Sequence, residues 1–259
     1  MTEQMRSDKP TLVLLHGWGV NQGVWQSVVA QLPTNINIIT PDLPGFGDSR
    51  HYPQPYELSA LVQQLAEQIP AQSVVCGWSL GGLIAIALAH RYPEKVRQLG
   101  LVGASPCFVA RDNWPGMAPQ VLQQFARALS DNLAQTIERF LAIQAMGSSS
   151  ARNDIKALKQ AIMAYPLPES GAIEGALQLL NLDLRSEFAA LRQPVSGFYG
   201  RLDSLVPVKV IKHLQQLQPQ AHFTVAEHAS HAPFISHTSE FMLWLHSWLS
   251  AIIDTKDPA

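Results

Sequence analysis

Short apolar runs punctuate the chain, and most stop at glycine or proline. Thr11–Leu15 reads TLVLL and ends at His16-Gly17; Ile36–Thr40 reads INIIT and ends at PDLPGFG. Ser73–Cys76, Leu99–Val102, Pro194–Tyr199 and His222–Ala226 complete the set. Short runs rich in Val, Ile and Leu suit strands buried on both faces. Between them, helical patterns cover residues 22–32, 58–69, 80–91, 207–217 and 238–253. Strands alternating with helices of this length predict parallel crossovers, hence an α/β fold with a mostly parallel central sheet flanked by helices. The alternation breaks between 109 and 183, where helical periodicity continues with no clear strand. That stretch reads as an all-helical cap inserted between two core strands. The core is then 1–108 plus 184–259, and the cap is 109–183. Ser148-Ser149-Ser150 reads as a turn or a helix start.

Composition narrows the classes of function. The chain has 259 residues, 47% of them hydrophobic, enough for one large domain with a sizeable core. Only 15% are charged and the net charge is −2, which argues against whole-chain electrostatic binding of nucleic acid or an anionic membrane. The opening MTEQMRSDKP lacks the apolar stretch of a signal peptide. The run Leu83–Ala89 is far shorter than the roughly 18 residues that span a bilayer. Two cysteines, Cys76 and Cys107, show no metal-ligand spacing. A reduced, cytoplasmic protein without metal or cofactor is expected, with Cys76 buried in a strand and Cys107 without an assigned role.

Gly77-Trp78-Ser79-Leu80-Gly81 follows one apolar run and precedes another. A strand that turns sharply into a helix can hold one side chain up at the end of a sheet. The residue at the bend takes a strained backbone conformation, costing about 1–3 kcal/mol. Its neighbours at −2 and +2 must be small, which glycine satisfies. Ser79 is therefore a candidate nucleophile, and the competing reading is an ordinary helix N-cap. A nucleophilic serine needs a base and an orienting acid. Asp203 lies in the turn after the run that ends at Tyr199, and His228 and His231 both follow the run that ends at Ala226. An oxyanion hole needs two backbone N–H donors. Leu80 can supply one, and Trp18, in His16-Gly17-Trp18-Gly19, the other; the plain alternative for Trp18 is packing.

LLHGWG, DLPGFGDS, GWSLGG, GRLDSLVP and SHAPFISH together resemble the α/β-hydrolase fold family over nearly the whole chain. GWSLGGL, SPCF, ARDNWPG, ERFLAIQAMG and AHFTVAEHASHAPFISH are similar to its branch of biotin-pathway carboxylesterases, which cleave the methyl ester of pimeloyl-acyl carrier protein. The resemblance implies Ser79 as nucleophile, Asp203 as acid and His231 as base, because HAPFISH aligns from His231 onward. It implies Trp18 and Leu80 as oxyanion donors. It places Phe140, Leu141, Ala142, Ile143 and Gln144 along the acyl pocket, with Trp18, Ser79, Leu80 and His231 also touching substrate. Departures are the ten residues before TLVLL, which put an N-terminal edge strand in question, Gln135 and Lys156 where enterobacterial members carry arginine, and His228 in place of a small residue.

An acidic carrier protein needs a basic landing surface. Residues 109–183 carry six Lys/Arg against seven Asp/Glu, but 139–159 hold Arg139, Arg152, Lys156 and Lys159 against Asp154 alone. Arg152, Lys156 and Lys159 share one helix face. They are candidate docking residues, with a solvated helix face as the plain alternative. A monomer acting on the carrier-bound ester, and on small esters, is expected. The alternatives are a broad short-chain carboxylesterase or C–C bond hydrolase on the same fold, and a non-catalytic ligand receptor.

Overall fold

The computed structural model describes residues 9–131, 133–144 and 151–253. In chain order, β1 (Thr11–Leu15) leads through a 3-10 turn (Gln22–Trp25) into α1 (Gln26–Val29) and β2 (Asn37–Ile39). Then come α2 (Leu58–Gln68), β3 (Ser73–Trp78), α3 (Leu80–Arg91) and β4 (Val96–Val102). Helices α4 (Pro119–Asp131), α5 (Leu133–Gln144), α6 (Ala151–Met163) and α7 (Ser170–Leu179) follow. The chain closes with α8 (Arg185–Ala189), β5 (Val195–Gly200), α9 (Val210–Leu217), β6 (His222–Ala226), α10 (Pro233–Ser236) and α11 (Thr238–Ile253).

The six strands form one sheet in the order β2-β1-β3-β4-β5-β6, with every neighbouring pair parallel. The apolar runs behave as expected of strands covered on both faces: β1, β3 and β5 are buried along their whole length. Helix α3 is buried from Leu80 to Ala89, because it lies against the middle of the sheet and α2 also packs on it. Parallel strands put all their C-terminal ends on one edge of the sheet, where ligands bind in open α/β folds. The segments after β1, β3, β5 and β6 carry the candidate residues to that edge.

Two local expectations need correction. Residues 22–32 do not form one helix. Asn21 Oδ1 accepts the Gly23 N–H at 3.1 Å and starts the 3-10 turn, and α1 then runs for only four residues. Gly23 and the branched Val24, Val28 and Val29 are poor helix formers. The inserted stretch is not helical from 109 either. Bridges pair Cys107 with Asp183, Val109 with Met117 and Arg111 with Trp114, around a turn with Asn113 at φ 55°. Pro115 and Gly116 favour that turn, and a side chain at Gly116 would meet the Phe108 carbonyl at 2.5 Å. The short α8 and α10 carry too few turns for periodicity to reveal. The serine triplet 148–150, and most of the segment in which an N-terminal edge strand was in question, lie outside the described residues.

The inserted helices are tied to the edge of the sheet by named bonds. Trp18 Nε1–H donates to the Ile173 carbonyl at 2.8 Å and Asn21 Nδ2–H to the Ile162 carbonyl at 3.1 Å. The Glu169 N–H donates to the Gly45 carbonyl at 2.9 Å, and Arg50 pairs with Glu169. Among the described residues no helix is long and apolar enough to cross a membrane.

Candidate active site

Ser79 sits between β3 and α3 at φ 54°, ψ −120°, a conformation that L-residues rarely adopt. Both flanking glycines are required by contact. A Cβ on Gly77 would lie 2.3 Å from the Gly81 carbonyl oxygen, and one on Gly81 would lie 2.4 Å from the Leu15 carbonyl oxygen. Those are backbone atoms, so the neighbours cannot swing aside. The serine backbone is fully used: its N–H donates to the Val102 carbonyl at 3.0 Å and its carbonyl accepts the N–H of Gly82 at 2.9 Å. Its hydroxyl makes no capping bond to the helix. Instead Oγ lies 2.9 Å from His231 Nε2. The helix-cap reading of Ser79 therefore fails on geometry.

His231 Nδ1 lies 2.7 Å from Asp203 Oδ2, and Asp203 Oδ1 accepts the N–H groups of Leu205 and Val206 at 2.9 Å each. A carboxylate with no proton to give can only accept. So Nδ1 carries the hydrogen, and Nε2 presents its lone pair to the serine hydroxyl. The main chain of His231 is fixed from behind, where Trp78 Nε1–H donates to its carbonyl at 2.8 Å. Trp78 in turn packs edge-on against Phe234, which stacks on Trp25 at 4.4 Å. Ser79, Asp203 and His231 are all buried. His228 is exposed beside Glu227, which pairs with Arg201, and the structure does not bring it to Ser79. Cys76 is buried in β3 as expected. Cys107 is also buried, its thiol pushed up by burial and donating to the Val109 carbonyl.

The loop after β1 runs close under the serine. A Cβ at Gly17 would lie 3.3 Å from Ser79 Cβ and 3.1 Å from the Trp78 ring. The backbone N–H groups of Trp18 and Leu80 have no acceptor among the described residues. The Trp18 ring meets Phe140 of α5 edge-on at 4.7 Å, so its side chain does pack. Phe140 and Leu141 are buried and Ala142 is exposed; the side chains of Ile143 and Gln144 lie outside the described residues.

Arg139, Arg152 and Lys156 are exposed, but Lys159 pairs with Glu138 of α5 at 2.8 Å. The basic face of α6 is thus smaller than the residues 139–159 alone suggest, because an acid one position outside that window reaches it. Met163, the last residue of α6, is 80% exposed, and Leu167, beyond the helix, is 61% exposed. Among the described residues no cluster of His, Cys, Asp or Glu suits a metal ion.

Sequence reasoning missed the supports of the site. Gly103, at φ 48°, lies beneath the imidazole: a Cβ there would approach the His231 carbonyl at 3.0 Å and Asp203 Oδ2 at 3.3 Å. Trp78 and His16 stood inside quoted motifs, yet nothing in their spacing shows what they touch.

The family profile described as alpha/beta hydrolase fold matches residues 10–238. A curated relative from Pseudoalteromonas atlantica, named pimeloyl-[acyl-carrier protein] methyl ester esterase, is 48% identical over 237 residues, which are 90% of this chain and 92% of that one. A protein of the same name from Klebsiella pneumoniae is 46% identical, over 89% of this chain and 90% of its own. Among solved structures, an esterase from Exiguobacterium antarcticum superposes with a TM-score of 0.83 at 21% identity, over 92% of this chain and 91% of that one.

Proposed function

The chain belongs to the α/β-hydrolase family, and we propose that it is a serine carboxylesterase that hydrolyses the methyl ester of pimeloyl-acyl carrier protein. The observation that carries the chemistry is the line from Asp203 through His231 to the hydroxyl of a strained Ser79. The name shared by relatives at 46–48% identity supports the substrate.

His231 Nε2 takes the proton of Ser79 as Oγ attacks the ester carbonyl. Asp203 keeps the imidazole in the tautomer that can accept, and stabilises the imidazolium that forms. The N–H groups of Trp18 and Leu80 bind the developing oxyanion; losing one such donor typically costs about 10²–10³ in rate. The imidazolium then protonates the leaving methoxide, and methanol departs from an acyl-enzyme on Ser79. Water, deprotonated by the same imidazole, attacks the acyl carbonyl; the bond from the acyl carbon to Ser79 Oγ then breaks, Oγ takes the proton back from His231, and the free acid leaves. One ester bond is broken by one water, with no redox change and no group required from outside the chain.

The helices between β4 and β5 act as the cap. Phe140 and Leu141 line the acyl pocket together with Ala142, Ile143 and Gln144. Arg139, Arg152 and Lys156 attract the acidic carrier protein, with Lys159 contributing less because Glu138 already neutralises it. Docking there holds the thioester end of the chain away from Ser79 and brings the distal methyl ester to it. The protein works as a monomer in the cytoplasm.

The test is direct turnover of carrier-bound pimeloyl methyl ester, read as methanol release with the thioester intact. Ser79→Ala should lower turnover by about 10⁴–10⁶. Hydrolysis of p-nitrophenyl acetate without turnover of the carrier-bound ester rejects the substrate but keeps the esterase. Turnover unchanged by Ser79→Ala rejects the mechanism.

A further inference from the structure

His16, fully buried at the end of β1, is a histidine that this reaction does not use. Its Nδ1 lies 2.8 Å from the Gly17 carbonyl oxygen, and its Nε2 accepts the Leu43 N–H at 2.9 Å. A backbone N–H can only donate, so Nε2 is the bare nitrogen and Nδ1 carries the hydrogen. Asp42 comes within 3.7 Å of Nε2 but is engaged elsewhere. Its Oδ1 accepts the Gln22 N–H at 2.6 Å, and its Oδ2 accepts from Gln22 Nε2 at 3.0 Å and from the Asp48 N–H at 2.8 Å. Burial outweighs the pull of Asp42 and holds the imidazole below its ordinary pKa, so the ring is neutral.

The carbonyl that His16 grips shares a peptide plane with the Trp18 N–H. That peptide is trans, so its C=O and N–H are fixed antiparallel in one rigid unit. Gripping the oxygen therefore aims the hydrogen. The peptide needs such a grip, because it follows a glycine, whose backbone turns more freely than that of any other residue. A side chain cannot be added for stiffness, because a Cβ at Gly17 would press on the Trp78 ring and on Ser79. We propose that His16 is a positioning residue: its Nδ1–H···O=C bond to Gly17 sets the direction of the Trp18 oxyanion donor, and the Leu43 N–H holds the ring in the tautomer that can do so. The proposal rests on the assignment of Trp18 as an oxyanion donor.

Two near-isosteric variants separate the two bonds. In His16→Asn the side-chain nitrogen falls near the Nδ1 position, which keeps the donor to Gly17 and loses the acceptor for Leu43. In His16→Gln the side-chain oxygen falls near the Nε2 position, which keeps the acceptor and loses the donor. Each variant gives up one buried hydrogen bond, so their melting temperatures should fall together. Activity on p-nitrophenyl acetate should not: kcat of His16→Gln should drop about 10²-fold at nearly constant KM, while His16→Asn stays within about tenfold of the parent. Affinity for a trifluoromethyl ketone, which places an oxyanion in the hole, should fall in step with kcat. Equal losses in the two variants, tracking stability, overturn the proposal.

A Ser79→Ala control separates this failure from failure of the esterase reading. If that variant keeps full activity, both fall; if it loses activity and the two His16 variants still match, only the positioning role falls. Nitrogen NMR on the unaltered protein does not depend on a variant folding. It should show His16 protonated at Nδ1 and bare at Nε2, and a downfield shift of the Trp18 amide on adding the ketone. The opposite tautomer, or an unmoved amide, overturns the proposal.

Discussion

The acid and the histidine behind Ser79 are gripped by backbone and by each other, whereas Arg152 and Lys156 on α6 face solvent. Asp203 is held by two backbone N–H groups and His231 by the Trp78 ring nitrogen and by Asp203. Arg152 and Lys156 project from an exposed helix face, and the pair of Lys159 with Glu138 joins two partly exposed side chains. The contrast fits what the proposed function asks of each region. Proton transfer needs atoms fixed within fractions of an ångström, which the ends of buried strands provide. Attracting a charged partner needs only the right sign of charge over a distance of about 8 Å, and long mobile side chains provide that without a rigid frame.

A change to alanine should be costly at the sheet edge and nearly free on the exposed side of the inserted helices. Gly81→Ala forces a Cβ within 2.4 Å of the Leu15 carbonyl oxygen and 2.5 Å of the His16 carbonyl oxygen. We expect a loss of about 3 kcal/mol or more, measured by urea unfolding. Gln123→Ala, on the exposed side of α4, should stay within about 0.5 kcal/mol. A tolerant Gly81 would mean that the bend under Ser79 is not sterically fixed.

Trp18 joins the two regions, and Trp18→Phe tests how firmly. The variant keeps an aromatic ring against Phe140 but removes the indole bond to the Ile173 carbonyl, which then keeps only its place in the α7 ladder. A stability loss of about 0.5–1.5 kcal/mol should follow. KM for a p-nitrophenyl ester should rise with it if the bond also shapes the pocket. An unchanged melting temperature would show that the inserted helices are held by their other ties.

Acid should weaken the sheet edge through His16. Its folded pKa lies below the ordinary 6.5, so below that pH the unfolded chain binds a proton that the folded chain refuses. The contribution is present above the unfolded value and is lost as pH falls, by at most about 1.4 kcal/mol per pH unit for a single group. Urea midpoints at about pH 7.5 and about pH 5.5 should therefore differ more for the parent than for His16→Asn. Equal differences would remove His16 from the acid response.

The same contrast explains what was legible in the sequence. The strands were, because a strand buried on both faces must be a run of apolar residues and must stop where the chain turns. The Ser79 bend was, because only glycine fits on either side of it. The roles of His16, Gly103 and Trp78 were not: each depends on a backbone atom far away in the chain, such as the Leu43 N–H or the His231 carbonyl, and no local pattern encodes it. The residues from 109 to 118 were read as helical because single bridges such as Val109 with Met117 leave no periodicity. The charge on α6 was misjudged for the same reason, since Glu138 meets Lys159 across two helices.

That last misjudgement gives the smallest effect and the sharpest sign. Replacing Arg139, Arg152 or Lys156 with glutamine should raise KM for the carrier-bound ester by about two- to fivefold each, shrink the dependence of kcat/KM on salt, and leave p-nitrophenyl ester hydrolysis alone. Lys159→Gln should do less, because its charge is already answered. Glu138→Gln should do the reverse: it frees Lys159, adds a net positive charge to the face and lowers KM for the carrier-bound ester, most clearly at low salt. Two variants that change the two halves of one ion pair then move the same constant in opposite directions. A merely solvated helix face predicts no movement in either, and a structural role for the pair predicts a loss in both.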